Sequence, residues 1–166
     1  MSEVVIRAFK PSDWSAVLRA MIERQDYEAS LHDTRLPGDV VGPAYLNSLL
    51  RDLPTRNGAL FVAETDGLII GVVACLLVEG DEIEETAESN RHGYVTDIFV
   101  DTRYRGRGVA QQLLARAEEH LAATGATRLR INVLAVNAKA RRAYQHYGFD
   151  PYEVMYEKRM HRKPSG

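Results

Sequence analysis

Apolar positions along this chain switch repeatedly between two spacings, and the switches mark its elements. Residues 4–9 are short and β-rich, which predicts a first strand. Pro11-Ser12-Asp13 then opens a helix, because Trp14, Val17, Leu18, Met21 and Ile22 recur at i, i+3, i+4, i+7 and i+8 and so share one core-facing stripe. Residues 26–41 keep neither period and carry a Leu36-Pro37-Gly38 turn, so they read as a loop. A second helix is expected over 43–52, opened by Pro43 and stopped by Pro54, with Leu46, Leu49 and Leu50 on one side. The apolar runs 59–64 and 68–78 meet at Asp66-Gly67, a dipeptide suited to the positive φ angles of a type I′ turn, and should pair antiparallel. A strand over 94–100 feeds a glycine-rich turn. The helix after it carries Ala110, Leu113, Leu114, Ala117 and Leu121 as a stripe, and Gly125 stops it. A strand over 128–136, a short helix over 138–147 and a last strand over 154–160 complete the prediction.

Strand, turn, helix and strand make a βαβ unit, so 94–100 and 128–136 should be parallel neighbours, whereas the hairpin before them is antiparallel. The fold class is therefore α/β with a mixed sheet. A chain of 166 residues, 45% hydrophobic and 27% charged, suits one domain spanning 1–166, and no internal repeat or linker divides it. The formal net charge of −2 gives no global attraction to nucleic acid or an anionic membrane. No apolar run approaches the roughly 18 residues of a membrane span. The N-terminus lacks a signal-peptide stretch, so a cytoplasmic protein is expected. Cys75 is the single cysteine, which excludes an intrachain disulfide and a cysteine-rich metal site; within its apolar run it reads as core. Between residues 79 and 88 stand six carboxylates: Glu79, Asp81, Glu82, Glu84, Glu85 and Glu88. They form either a solvated surface or a means of drawing in a cationic substrate.

The turn itself reads Arg105-Gly106-Arg107-Gly108-Val109-Ala110. A glycine turn that leaves a strand and opens a helix aims unpaired backbone N–H groups and the positive end of the helix dipole at one spot, which suits phosphate. Taken alone, it is equally a tight connection. A Rossmann fingerprint is set aside because the turn sits in mid-chain without a third glycine, and the P-loop pattern G-x-x-x-x-G-K-[ST] is absent.

Residues 100–114, V-D-T-R-Y-R-G-R-G-V-A-Q-Q-L-L, resemble the pyrophosphate loop of the GNAT superfamily of N-acetyltransferases, whose pattern is Q/R-x-x-G-x-G/A; Arg105, Gly108 and Ala110 fill its fixed positions. Residues 137–149 resemble the same superfamily's N-x-x-A-x-x-x-Y-x-x-x-G-F segment through Asn137, Ala140, Tyr144, Gly148 and Phe149. The resemblance is strong over 94–149 and rests on element order alone before that. Thr102 stands where the family often has proline. The resemblance implies a single-domain GNAT-like fold: a mixed, mostly antiparallel sheet with a splayed parallel central pair and about four helices. It also implies acetyl-CoA as co-substrate, held by Arg105, Gly106, Arg107, Gly108, Val109 and Ala110 at the pyrophosphate. The pantetheine arm would lie along Ile98-Phe99-Val100, with Asn137, Ala140 and Tyr144 on the other side. Asn137 equally suits a helix N-cap, and Arg107 a solvated loop side chain.

Chemistry narrows the roles. When an amine attacks the thioester, CoA leaves as a thiolate, and the Tyr144 phenol is placed by the resemblance to stabilise or protonate it, although a core aromatic would show the same spacing. A backbone N–H of the strand ending at Val100 would meet the carbonyl oxygen. Asp97 is a carboxylate inside a β-branched strand, where charge is unusual unless it faces a cleft, and so is the candidate base or amine anchor. The tract 94–100 resembles the diamine-acetylating branch, which has glutamate where Thr96 stands here. Glu28 and His32, on the segment after the first helical stripe, join Thr96 and Asp97 as acceptor-side candidates. The expected activity is direct acetyl transfer from acetyl-CoA to a primary amine, with a cationic small molecule or a peptide amine favoured, without metal and without an acyl-enzyme. The alternative is an acyl-CoA-binding sensor that does not transfer. A homodimer follows from family analogy only.

Overall fold

The computed structural model describes residues 3–160 and is built on one five-stranded sheet. Strands β1 (Val5–Ala8), β2 (Ala59–Thr65), β3 (Leu68–Glu79), β4 (Arg91–Val100) and β5 (Leu129–Ile131) lie side by side in chain order. The first four pair antiparallel, and β4 pairs with β5 in parallel. Helices α1 (Trp14–Leu31) and α2 (Gly38–Asp52) pack on one face, α4 (Val109–Ala122) on the other, while α3 (Ala87–Asn90) lies in the acidic connection and α5 (Ala138–Tyr147) follows β5.

Both faces of the sheet are covered, which explains why β3 reads as a continuous apolar run. Val72, Ala74 and Leu76 meet Val17, Met21 and Leu46 of α1 and α2; Val73, Cys75 and Leu77 meet Leu113, Leu114, Ala117 and Leu121 of α4. Each fully buried Val or Leu contributes about 1.5–3 kcal/mol of transfer free energy, so the two stripes predicted from spacing are the main source of cohesion. The hairpin turn is as expected, with Asp66 at φ 51° and Gly67 at φ 74°. Among the described residues no helix is long and apolar enough to cross a membrane.

The structure departs from the expected elements in four places. Helix α1 runs on to Leu31, and α2 begins at Gly38, with Pro43 inside it rather than at its start. The cause is a cap from a distant residue: Asp26 Oδ1 of α1 accepts the Gly38 N–H at 2.6 Å, so the start of α2 is satisfied from the neighbouring helix. The strand expected over 128–136 shrinks to three residues, because the chain turns away to bond Asn137 N–H to Leu134 O. The strand expected over 154–160 is not formed, its backbone having no ladder partner among the described residues, and Met155, Tyr156 and Met160 are exposed. The parallel pair therefore stands at the edge of the described sheet, not at its centre.

Helices α1 and α2 approach so closely that a Cβ at Gly38 would lie 2.4 Å from the carbonyl oxygen of Ile22, which is backbone and cannot swing aside. Gly38→Ala should therefore destabilise by about 1–3 kcal/mol, although alanine is the better helix former. The urea unfolding midpoint checks this, and a variant as stable as the parent would contradict the packing argument.

Candidate functional site

One inserted residue decides what β4 presents. Its register against β3 runs from Val100↔Gly71 to Asp97↔Ala74 and then steps to Val95↔Cys75, so Thr96 is an extra residue, a β-bulge. The Asp101 N–H donates to Ile70 O at 2.9 Å. Alternation in an antiparallel ladder then turns the backbone groups of Phe99 and Asp97 toward β3 and those of Ile98 and Val100 away from it. Strand β5 pairs only as far as Val95↔Ile131. Beyond that point Ile98 and Val100 face the gap that β5 has left, and Val100 O accepts from Arg105 Nε at 2.9 Å. The side chains shift in step. Val95, Ile98 and Val100 join the α4 core, Tyr94 and Phe99 join the α1–α2 core, and Asp97 meets α1 and α2.

That gap leads to the glycine turn. Gly106 and Gly108 both sit at φ +75°, in the left-handed region that glycine enters without penalty. Gly108 is the N-cap of α4, so the first-turn amides of Val109 and Ala110 have no carbonyl partner within the helix. A Cβ at either glycine would meet nothing within 4 Å, so the space beside these amides is open. An open cradle of amides at a helix N-terminus fits a pyrophosphate. Arg105 lies beside the Phe99 ring, 5.9 Å from its centroid, and Arg107 beside the Tyr104 ring at 5.4 Å.

Helix α5 supplies the opposite wall. Asn137 is buried and its Oδ1 accepts the Ala140 N–H at 3.1 Å, so it caps the helix and orders the residues around it. Tyr144, one turn past Ala140, is partly buried and packs edge-on against Phe149. Burial first, and then the charge of Glu28, pushes its phenol up to about 12, with Asp97 adding to the shift and Arg24 opposing it. Tyr144, Glu28 and Asp97, far apart in sequence, thus lie within electrostatic reach of one another.

Two residues that the sequence pattern did not single out complete this cluster. Arg24 Nη1 donates to Glu28 Oε1 at 3.0 Å, and Arg24 Nη2 stands 2.9 Å from Asp97 Oδ1. The second contact is a charge contact without hydrogen-bond alignment, since Asp97 Oδ1 and Arg24 Nε have no hydrogen-bond partner among the described residues. Tyr45 of α2 donates its hydroxyl to Asp97 Oδ2 at 2.6 Å. The residue is 37% exposed, but its hydroxyl turns inward, and burial together with Asp97 raises its pKa well above the ordinary tyrosine value. The Asp97 side chain is fully buried, so both of its oxygens face protein rather than an open cleft. The spacing of Arg24 and Glu28, i and i+4, was readable as a helix ion pair; nothing in the sequence marked Tyr45.

The remaining candidates are placed differently. Thr96 Oγ1 donates to Ala74 O at 3.3 Å, toward β3. His32 ends α1, with Nδ1 2.9 Å from Thr34 Oγ1, and its contacts are local. The acidic stretch lies at the far end of β4 from the glycine turn, where Glu79 pairs with Arg91 and Glu88 with Arg128. Glu85 is held below the usual carboxylate range first by Ser89 and also by Arg130 and Arg128. Glu79, Glu85 and Glu88 thus have basic neighbours of their own. Among the described residues no group of three or more His, Cys, Asp or Glu side chains gathers as a metal site.

The profile of the acetyltransferase (GNAT) family matches residues 22–149. An uncharacterized N-acetyltransferase of Methanocaldococcus jannaschii is 33% identical over 95 residues, covering 57% of this chain and 40% of its own. Thialysine N-epsilon-acetyltransferase of Mus musculus is 22% identical over 155 residues, 89% of this chain and 85% of its own. The chain spans less than half the length of the first curated relatives that it matches. Among solved structures, AAC(6')-Iy in complex with the bisubstrate analogue CoA-S-monomethyl-acetylneamine has a TM-score of 0.70 at 22% identity, covering 96% of this chain and 100% of that one. With the bulged β4, the glycine turn and the short parallel pair all inside the matched span, the chain belongs to the GNAT family of acetyltransferases.

Proposed function

We propose that this chain transfers the acetyl group of acetyl-CoA to a primary amine by direct attack while both substrates are bound. The observation that carries the reading is the Thr96 bulge, which turns the backbone of Ile98 and Val100 into the gap between β4 and β5, next to the open glycine turn. Amides of Gly106, Arg107, Gly108, Val109 and Ala110 hold the pyrophosphate, with Arg105 braced on Val100 O beside them. Ile98 and Val100 pair with the amides of the pantetheine arm as an added strand would, with Phe99 on the same strand, and Asn137 and Ala140 form the facing wall. The thioester supplies an acetyl group on a thiolate leaving group. A backbone N–H of this strand turned away from β3, that of Ile98, serves the carbonyl oxygen as it gains charge.

Proton bookkeeping defines what Tyr144 does. An alkyl ammonium has a pKa near 10.4, so it must lose one proton before it attacks and a second after the C–N bond forms. The first goes to water. As the C–S bond breaks, Tyr144 donates its proton to sulfur, and the second amine proton replaces it on the phenol. Cys75 takes no part; it is fully buried, and burial raises its thiol to about 11. This supports transfer without an acyl-enzyme. Neighbours named for thialysine and for aminoglycoside acetylation support an amine acceptor, and the reading carries a cytoplasmic location with it.

Incubation with acetyl-CoA and a panel of thialysine, a lysine peptide, spermidine and an aminoglycoside, following free thiol, tests the activity. Gly108→Asn should weaken CoA binding by more than tenfold, about 1.4 kcal/mol, by calorimetry. Asparagine tolerates positive φ, so a loss reports obstruction rather than strain, and unchanged affinity would remove the pyrophosphate from this turn.

Tyr144→Phe keeps the ring volume and should lower kcat by about ten- to ten-thousandfold with little change in acetyl-CoA affinity. Because the phenol is held near 12, above its ordinary value of about 10, it stays protonated through the neutral range. The parent should therefore show no fall in kcat from this group between pH 7 and 10. A falling limb in that window that disappears in Tyr144→Phe would contradict the assignment.

A further inference from the structure

We propose that Arg130 sets the width of the gap in which the pantetheine arm lies, with Ser89 and His92 as the buried anchor that holds it. This rests on the acetyl-transfer reading above and gives a task to the acidic connection between β3 and β4, which that reading leaves without one.

Strand β5 needs such an anchor. It pairs with β4 over three residues only, Gly93↔Leu129, Tyr94↔Arg130 and Val95↔Ile131, and among the described residues no strand covers its other edge. Three parallel pairs span about 10 Å and give a strand little hold of their own. On the α4 side packing helps. Leu129 and Ile131 lie against that core, and a Cβ at Gly93 would stand 2.7 Å from Leu121 Cδ1 and 3.1 Å from Leu129 Cδ1, so glycine there lets both leucines in. Alternation leaves β5 one side chain for the opposite face, that of Arg130.

Arg130 meets buried groups. Its Nη2 donates to Ser89 Oγ at 2.5 Å, and its Nη1 stands 3.4 Å from Nδ1 of His92, a ring nitrogen that also lies 2.7 Å from Ser89 O. Ser89 and His92 are each 8% exposed. Ser89 is itself fixed, because Thr86 Oγ1 accepts its N–H at 3.2 Å at the start of α3. The Tyr152 ring lies over the guanidinium at 4.4 Å and its hydroxyl donates to Glu85 Oε1 at 3.4 Å, which ties the chain beyond α5 to the same point. Arg128 and Glu88, by contrast, stand 3.5 Å apart with 52% and 65% of their side chains exposed, and such a pair holds little.

The hold on this face of β5 therefore falls on Arg130. One residue beyond it the pairing with β4 ends, and Ile98 and Val100 face the gap that follows. A β5 that shifts at Arg130 moves the wall opposite those two residues, whereas the glycine turn, past the far end of β4, keeps its place. Arg130 acts through β5 and is a positioning residue.

Titration calorimetry with CoA and with its nucleotide half, 3′-phospho-ADP, separates the two ends of the cofactor. The nucleotide half reaches only the glycine turn; CoA also fills the gap. Arg130→Met keeps the length of the side chain and should raise the Kd for CoA about tenfold while that for 3′-phospho-ADP stays within about twofold. Ser89→Ala should act in the same sense, about threefold, and carries the test if Arg130→Met does not fold. Glu88→Gln should leave both constants within about twofold. An unchanged Kd for CoA in either of the first two variants that folds, or a loss shared equally by 3′-phospho-ADP, overturns the role of Arg130. A loss in Glu88→Gln as large as that in Arg130→Met overturns the buried anchor. A parent that binds CoA no more tightly than 3′-phospho-ADP does not hold the pantetheine arm in the gap, and then the acetyl-CoA reading falls and this inference with it.

Discussion

One residue too many in β4 is the constraint on which the rest depends. Without the Thr96 bulge, period-two alternation would turn the Asp97 side chain toward α4, against Leu113 and Leu114, and Ile98 toward α1 and α2. A carboxylate on that apolar face would cost several kcal/mol unless it found a partner there. The same extra residue switches which backbone groups face β3. Past Thr96, Ile98 and Val100 turn outward at the point where β5 has ended, so their backbone groups face no neighbouring strand, and Val100 O is met by Arg105 Nε.

The shift brings an obligation with it. Asp97 arrives fully buried between two helices, and a buried carboxylate persists only if it is paired. Arg24 and Tyr45 meet it from α1 and α2, and those helices can converge there because Gly38 and Gly42 let them approach. Removing one member of such a pair costs about 3–5 kcal/mol, chiefly because the other charge is left stranded. The contact therefore couples the bulge to the packing of both helices. A perturbation of the α1–α2 seam reaches Asp97, and through Arg24 it reaches Glu28.

How much of this was legible follows from where each feature is encoded. The helical stripes of α1 and α4, the Asp66-Gly67 hairpin and the parallel β4–β5 pair are local or depend on one period, and they are where the pattern put them. The start of α2 was misplaced because its cap comes from Asp26, twelve residues back, while Pro43 offered a local signal that the fold does not use. Tyr144 and the glycine turn were readable because their motifs have fixed spacing. Asp97 stood out as a charge inside an apolar strand, which suggested a cleft, whereas its side chain is fully buried between α1, α2 and the sheet. Its partners did not stand out, because register and bulge, rather than spacing, bring residues 24, 45 and 97 together.

The two halves of the site accordingly obey different rules. The cofactor side proposed above is almost wholly main chain: amides at a helix N-terminus, and N–H and C=O groups of Ile98 and Val100. Such a surface asks for little of the sequence beyond glycine where φ is positive and one extra residue in one strand. Beside Tyr144, side chains gather from three elements, Arg24 and Glu28 from α1, Tyr45 from α2 and Asp97 from β4, with Arg24 paired to both carboxylates. On the proposed reading the thioester is met by main-chain groups, which depend on backbone geometry, whereas this buried cluster depends on side-chain identity at each of its positions.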